Sequence, residues 1–198
     1  MARNTDPIAK RCRALDVSPA MMGYGNKKST RNPGGLRRKK ASEYGLQLKE
    51  KQKVKFVYGV MEKQFERYYE KAANMKGITG ENLLSLLERR LDSVIFRLGM
   101  GNTRRHARQI VGHGHILVNG HRVDIPSYLV DVNDVITIRQ KSKDMEHLKV
   151  LREGATTIVP KWLTLNADEL TGTVVALPTR EDIDLPVQEN MIVEFYSR

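Results

Sequence analysis

The sequence predicts an α+β fold: a helical N-terminal region behind a basic extension, then a helix-turn-helix-like module joined to a small antiparallel β-sheet. Three observations predict it. From Val54 to Leu98 apolar residues recur at spacings of three and four, the period of an amphipathic helix. Beyond Gly114 the pattern shifts to short alternating runs such as Ile116 and Val118, which suit strands. Asn119-Gly120 then marks a two-residue hairpin, because both residues tolerate positive φ.

Residues 1–45 show neither period. They are rich in Asn, Gly, Pro, Lys and Arg, with Pro33-Gly34-Gly35 as the clearest breaker and Arg37, Arg38, Lys39 and Lys40 directly after it. Such a segment buries too little apolar area to offset its ordering entropy, so it is expected to be loose until it meets a partner. From Gln47 to Met75 the chain turns helical through Val54, Val57, Met61, Phe65, Tyr68 and Ala72, and Gly59 is placed to kink or split that helix. Gly77 is a plausible stop.

Thr79 is expected to cap a further helix whose apolar stripe, Leu84, Leu87, Leu91, Val94 and Leu98, runs unbroken to Gly99. Thr103 caps the next helix, with Ala107, Ile110 and Val111 facing inward. Val135–Ile138 reads as a strand after the Asn133-Asp134 turn, and a short helix is expected near Glu146–Arg152. Three β-type segments follow, Trp162–Leu165, Thr173–Leu177 and Met191–Tyr196, punctuated by Pro160, Pro178 and Pro186.

Composition narrows the function. The 198 residues carry a net charge of +11, which implies a polyanionic partner, either nucleic acid or an acidic membrane surface. No apolar run approaches the roughly 18 residues of a membrane span, and the first 20 residues hold no signal-like apolar core. The single cysteine, Cys12, excludes an intramolecular disulfide and suits a reducing compartment. Its neighbours Arg11 and Arg13 are of the kind that lower a thiol pKa. Residues 1–55 hold 15 Lys and Arg against 4 Asp and Glu, whereas residues 144–198 hold 5 against 10. The acidic end is expected to face away from the polyanion.

Arg104, Arg105 and Arg108 fall on one arc of the predicted second helix of the module. Two of them sit in its first turn, where a cation opposes the helix dipole. That placement makes sense if a phosphate occupies the helix N-terminus. His113, His115 and His121 lie beside it, but no third ligand of suitable spacing offers itself, so no metal is expected. Aromatics near the basic segments are sparse, Tyr24 and Tyr44 being the examples. Contact with phosphates and recognition of a folded shape therefore outrank base stacking. There is no phosphate-binding glycine loop, no His-Glu-x-x-His and no nucleophile elbow, and Gly23-Tyr24-Gly25 stops short of a dinucleotide fingerprint.

Several long motifs in order carry a resemblance: Glu43–Lys53, Tyr58-Gly59-Val60, Thr79–Leu84, Arg90-Leu91-Asp92, Thr103–Gly120 and Ile192–Arg198. The chain resembles, over nearly its whole length, the S-four family of bacterial small-subunit ribosomal proteins. The resemblance implies a cytoplasmic constituent of the small ribosomal subunit that binds the 5′ domain of its rRNA, nucleates assembly and contributes to translational accuracy. The partners implied are that rRNA, neighbouring ribosomal proteins and mRNA where it enters the subunit, with no membrane and no enzymatic activity.

The resemblance divides the chain into a basic RNA-contacting extension (1–45), a helical domain (46–87), an S-four-type RNA-binding module (88–150) and C-terminal β-segments (151–198). The expected rRNA contacts are Arg37, Arg38, Lys39, Lys40, Tyr44, Lys49, Lys51, Lys53, Arg104, Arg105, Arg108, His113, His115, Asn119 and Arg122. Many relatives hold structural zinc with an N-terminal cysteine cluster. Cys12 alone cannot build that site, so a zinc-free version without cofactors is expected.

Two other readings stay open on the sequence. Arg90-Leu91-Asp92 resembles the catalytic Gly-Arg-Leu-Asp of pseudouridine synthases, with Arg89 in place of the glycine. A free RNA-binding stress or recycling factor built on the same module is the other.

Overall fold

The computed structural model describes residues 7–25, 42–153 and 158–197. The basic run Arg37, Arg38, Lys39 and Lys40 lies outside the described residues. The chain forms two units, one of residues 1–67 with 185–198, the other of residues 68–184. The architecture is α+β.

In the first unit, α1 (Ile8–Leu15) follows Pro7 and ends at Asp16, which takes the left-handed φ of 53°. Ile8, Cys12 and Leu15 have helical spacing, and Cys12 and Leu15 are buried. Part of the extension thus has a fold of its own, contrary to the sequence expectation. Its few apolar residues at helical spacing are masked in the sequence by the surrounding charge. Burial pushes the Cys12 thiol up rather than down.

α2 (Glu43–Val57) is capped by the Ser42 hydroxyl, which accepts the Gly45 N–H at 3.2 Å. It ends where Gly59 adopts φ 62°, and α3 (Glu62–Ala73) begins anew. The glycine therefore splits the helix.

The expected strand at Met191–Tyr196 is instead a helix (Glu189–Tyr196) that packs on α2. Gln188 N–H donates to Glu50 at 3.1 Å, the Gln47 amide donates to Glu194 at 3.0 Å, and the Phe195 ring sits 5.6 Å from that of Tyr44. Ile192, Phe195 and Tyr196 are spaced three and four apart, so the run satisfies the helical period as well as alternation. Packing against α2 decides between them, overriding β-propensity.

The second unit contains α4 (Thr79–Glu88), α5 (Leu91–Arg97), α6 (Arg104–Gly112) and α7 (Glu146–Arg152). The C-terminal helix of the first unit, Glu189–Tyr196, is α8. The single helix expected from Thr79 to Leu98 is broken at Arg89-Arg90. Arg90 is extended, with ψ 137°, and bridges to Leu129, while Leu91 N–H donates to Tyr128 O at 2.8 Å. A backbone pairing with residues some forty positions away outweighs the local helical pattern. Thr79 is the first residue of α4 rather than its cap, a position held by Ile78.

Five strands form one antiparallel sheet in the order β2-β1-β3-β5-β4: β1 (Ile116–Val118), β2 (His121–Arg122), β3 (Val135–Ile138), β4 (Leu163–Asn166) and β5 (Thr171–Val174). Asn119 and Gly120 turn the β1–β2 hairpin with φ of 51° and 81°. β5 starts two residues and ends three residues earlier than expected, leaving Val175 and Leu177 exposed. Leu91, Val94 and Ile95 of α5, with Leu98 at its end, meet Ala107, Ile110 and Val111 of α6 over Ile116, Ile136 and Trp162 in one core. This core fixes α6 and the β1–β2 hairpin, the elements that carry the predicted site.

Candidate nucleic-acid interface

α6 starts where the sequence placed it. The Thr103 hydroxyl accepts the His106 N–H at 3.1 Å. Gly101 packs so closely that a Cβ there would lie 2.7 Å from the Ala107 Cα. Buried Ala107, Ile110 and Val111 then turn Arg105 toward the opposite side and leave Arg104 and Arg108 on the flanks of the buried face.

The three arginines have different surroundings. Arg105 is exposed. Arg104 lies over the Phe96 ring at 4.8 Å, donates to the Ser93 hydroxyl at 3.2 Å and reaches Glu88 at 3.4 Å. Glu88 is buried and also accepts two bonds from Arg97, of 3.0 and 2.9 Å, and Arg97 reaches Asp184 at 3.0 Å. Arg108 stands 4.0 Å from buried Asp92. Burial, reinforced by the charge of Arg90, draws the Arg108 pKa down against the pull of Asp92 and Tyr68.

The first turn of α6 therefore has an internal counter-charge. Glu88 offsets Arg104, and only part of the dipole conflict read from the sequence calls for an external phosphate. Arg90 is fully buried. It grips Asp92 through two bonds of 3.0 and 2.7 Å and the Tyr68 hydroxyl through one of 2.8 Å. Burial opposes its charge, but Asp92 and Tyr68 win and raise its pKa.

A second group of cations forms at the hairpin. Gly114 holds φ 72° and has the Arg122 guanidinium packed against it where a Cβ would stand. The exposed His113 ring lies 5.9 Å from that of His115. The register Ile116↔Ile138 sets His115 across from Arg139, whose N–H donates to the His115 carbonyl at 2.8 Å. Sequence reasoning missed Arg139 because it joins only through this β1–β3 pairing. His115 Nδ1 is 2.8 Å from the Ser142 hydroxyl. Burial, then the charges of His113, Arg139 and Arg122, hold its pKa below the ordinary imidazole value. Asn119 is spent on the turn: its amide donates to Asp134 at 2.8 Å and its oxygen accepts the Val135 N–H at 2.9 Å.

Elsewhere in this unit His106 and His147 meet edge to face, with centroids 4.6 Å apart. Asn102 N–H donates to His106 Nδ1 at 3.3 Å. Burial lowers both imidazole pKa values, and the charge of His106 adds to the effect on His147. Among the described residues no group of three His, Cys, Asp or Glu is arranged to hold a metal ion, and no helix is long and apolar enough to cross a membrane.

In the first unit, the candidates on α2 divide. Tyr44 is 51% exposed and Lys49 pairs with Asp16 near the surface. Lys51 is only 5% exposed, bonded to Glu62 at 2.7 Å and lying 4.1 Å over the Phe195 ring. Lys53 is 8% exposed and bonded to Glu50 at 2.5 Å and to the Pro186 carbonyl at 3.3 Å. Lys51 and Lys53 therefore hold α2 to its surroundings and leave the candidate surface. A lysine run that reads as a solvated face points partly inward, because Glu62 of α3, the Pro186 carbonyl and the Phe195 ring meet it there.

The family described as the ribosomal protein S4/S9 N-terminal domain matches residues 3–88, and the S4 domain matches residues 89–136. Along its whole length the chain is 55% identical to all of the small ribosomal subunit protein uS4 of Lachnospira eligens. It is 51% identical to that of Halothermothrix orenii and 53% identical to that of a Thermoanaerobacter strain, again over both full lengths. A fold whose sheet and helices bring cations to one hairpin, and these matches from end to end, place the chain in the uS4 family of small-ribosomal-subunit proteins.

Proposed function

We propose that this chain is a structural constituent of the small ribosomal subunit in the cytoplasm, binding the 5′ domain of the small-subunit rRNA. It nucleates assembly there and, with neighbouring ribosomal proteins and close to incoming mRNA, contributes to decoding accuracy. The full-length match to proteins named uS4 carries this reading. The geometry supports it: Arg105, His113, His115, Arg122 and Arg139 present cationic or titratable groups on the α6–hairpin side of a rigid core. Tyr44, Lys49 and Arg108 are supporting contacts in this reading, Asn119 shapes the hairpin, and Arg104 positions its neighbours. The tetrad of Arg37, Arg38, Lys39 and Lys40 adds phosphate contacts.

The chain is not an enzyme. Asp92, the residue of the synthase-like motif, has its carboxylate buried against Arg90 and carries structure instead. No cofactor is needed for this function.

Binding of the purified chain to a 5′-domain transcript, beside an unrelated folded RNA of equal length at ~200 mM salt, tests the reading, because non-specific phosphate binding is weak there. A preference of about a thousandfold is expected. Equal weak binding to both would leave a free RNA-associating factor as the better account.

A further inference from the structure

We propose that His113, His115, Arg122 and Arg139 form one phosphate site for the RNA backbone, and that filling it charges the His115 imidazole. This rests on the RNA-binding reading and adds to it a regulation: binding coupled to proton uptake.

The geometry gives the reason. Three separate elements deliver these groups to one place. His113 comes from the end of α6, Arg122 from β2 and Arg139 from the end of β3. The hydrogen bond from Arg139 N–H to the His115 carbonyl, 2.8 Å, and the close seat of the Arg122 guanidinium over Gly114 fix them around His115. Gly114 is required twice over, for its φ of 72° and for the space the guanidinium occupies. His115 Nδ1 is engaged with Ser142 at 2.8 Å, which leaves Nε2 to meet a ligand oxygen.

The groups facing His115 are mostly of one sign. His113, Arg122 and Arg139 each oppose its protonation, and across α7 its charge acts unfavourably on His147. Asp124 stands 4.0 Å from Arg122, but both are exposed and water screens the pair. Without RNA these surroundings therefore disfavour the protonated imidazole. A phosphodiester placed among these groups supplies the opposite charge, which favours the protonated ring.

The sign of the coupling follows. The His115 pKa without RNA lies below the ordinary value and rises when the anion arrives. Between those two values binding takes up a proton, so affinity increases as pH falls through that window and levels off on either side. Contacts made by Lys and Arg alone have no such dependence between pH 6 and 8, because those groups stay charged throughout.

The test uses the full chain and the 5′-domain transcript at constant salt, with circular dichroism confirming the fold at each pH. Affinity about three- to tenfold tighter at pH 6 than at pH 8 is expected, since a shift of one pKa unit changes affinity up to about tenfold. Calorimetry in two buffers of different ionisation enthalpy reads the proton uptake directly. His115→Gln, which keeps a polar side chain but cannot take up a proton, should bind more weakly than the parent at pH 6 and lose most of the pH slope. In the unsubstituted chain, the NMR titration of His115 should move upward on adding RNA. Selective binding with no pH slope, an unchanged slope in His115→Gln, or a His115 titration that RNA does not move would each overturn the proton coupling while leaving rRNA binding standing. Failure to prefer the ribosomal transcript at either pH would remove the RNA-binding reading itself, and this inference with it.

Discussion

Arg90 and Asp92 lie two residues apart and face each other through two parallel hydrogen bonds of 3.0 and 2.7 Å, both side chains buried. The arrangement depends on the break between α4 and α5, which leaves Arg90 extended so that its guanidinium can turn back on Asp92. Asp92→Ala strands a buried guanidinium, and truncating one partner of such a pair costs about 3–5 kcal/mol. Urea unfolding should show that loss. A change below about 1 kcal/mol would mean that water or Tyr68 alone satisfies Arg90.

Arg104 and Arg105 are neighbours with separable roles. Arg105→Ala should leave unfolding free energy within about 0.5 kcal/mol and lower the salt slope of RNA binding by about one. Arg104→Ala removes bonds to Ser93 and Glu88 and should cost about 1–3 kcal/mol in stability. Paired denaturation and salt-titration measurements separate them, and equal effects on both readouts would refute the division.

Lys51 is expected to matter to α2 and not to RNA. Lys51→Ala loses the bond to Glu62 and the cation–π contact with Phe195, and should destabilise the chain by about 1–3 kcal/mol. The salt slope of RNA binding should stay unchanged. A slope reduced by about one would return Lys51 to the contact surface.

Stability should fall as pH drops from about 7.5 to 5.5. Burial depresses the pKa of His106 and His147 in the folded chain, so the unfolded chain binds protons first. The stability this contributes is present above the unfolded imidazole value and disappears as pH falls through the folded one. Denaturant midpoints at the two pH values measure it. The double substitution His106→Gln with His147→Gln should flatten the dependence, and an equally steep curve would assign it to other groups.

What the sequence made legible is what neighbours in the chain decide. The Thr103 cap, the Asn119-Gly120 hairpin and α7 rest on contacts within a few residues, and each stands where local chemistry put it. The break at Arg89-Arg90 was illegible because its cause is the segment around Leu129. α8 reads as a strand because six residues cannot tell a period of two from one of 3.6: Met191, Val193 and Phe195 fit the first, and Ile192, Phe195 and Tyr196 the second. The cation site was partly legible. His113, His115 and Arg122 sit close along the chain, whereas Arg139 joins only through β-sheet register. The bonds of Lys51 to Glu62 and of Lys53 to the Pro186 carbonyl, and the hold of Glu88 on Arg104, involve partners that only the tertiary fold supplies.

The sharing of Glu88 by Arg97 and Arg104 also bears on how this sequence can drift. The carboxylate is buried, so its loss would leave two arginines crowded together with their common counter-charge gone. Replacing either arginine alone still leaves the other to neutralise Glu88. The order of substitutions therefore matters: an arginine can be exchanged first, whereas a lineage that alters Glu88 first crosses a fitness valley. The three positions form one epistatic unit whose combined effect differs from the sum of its single changes.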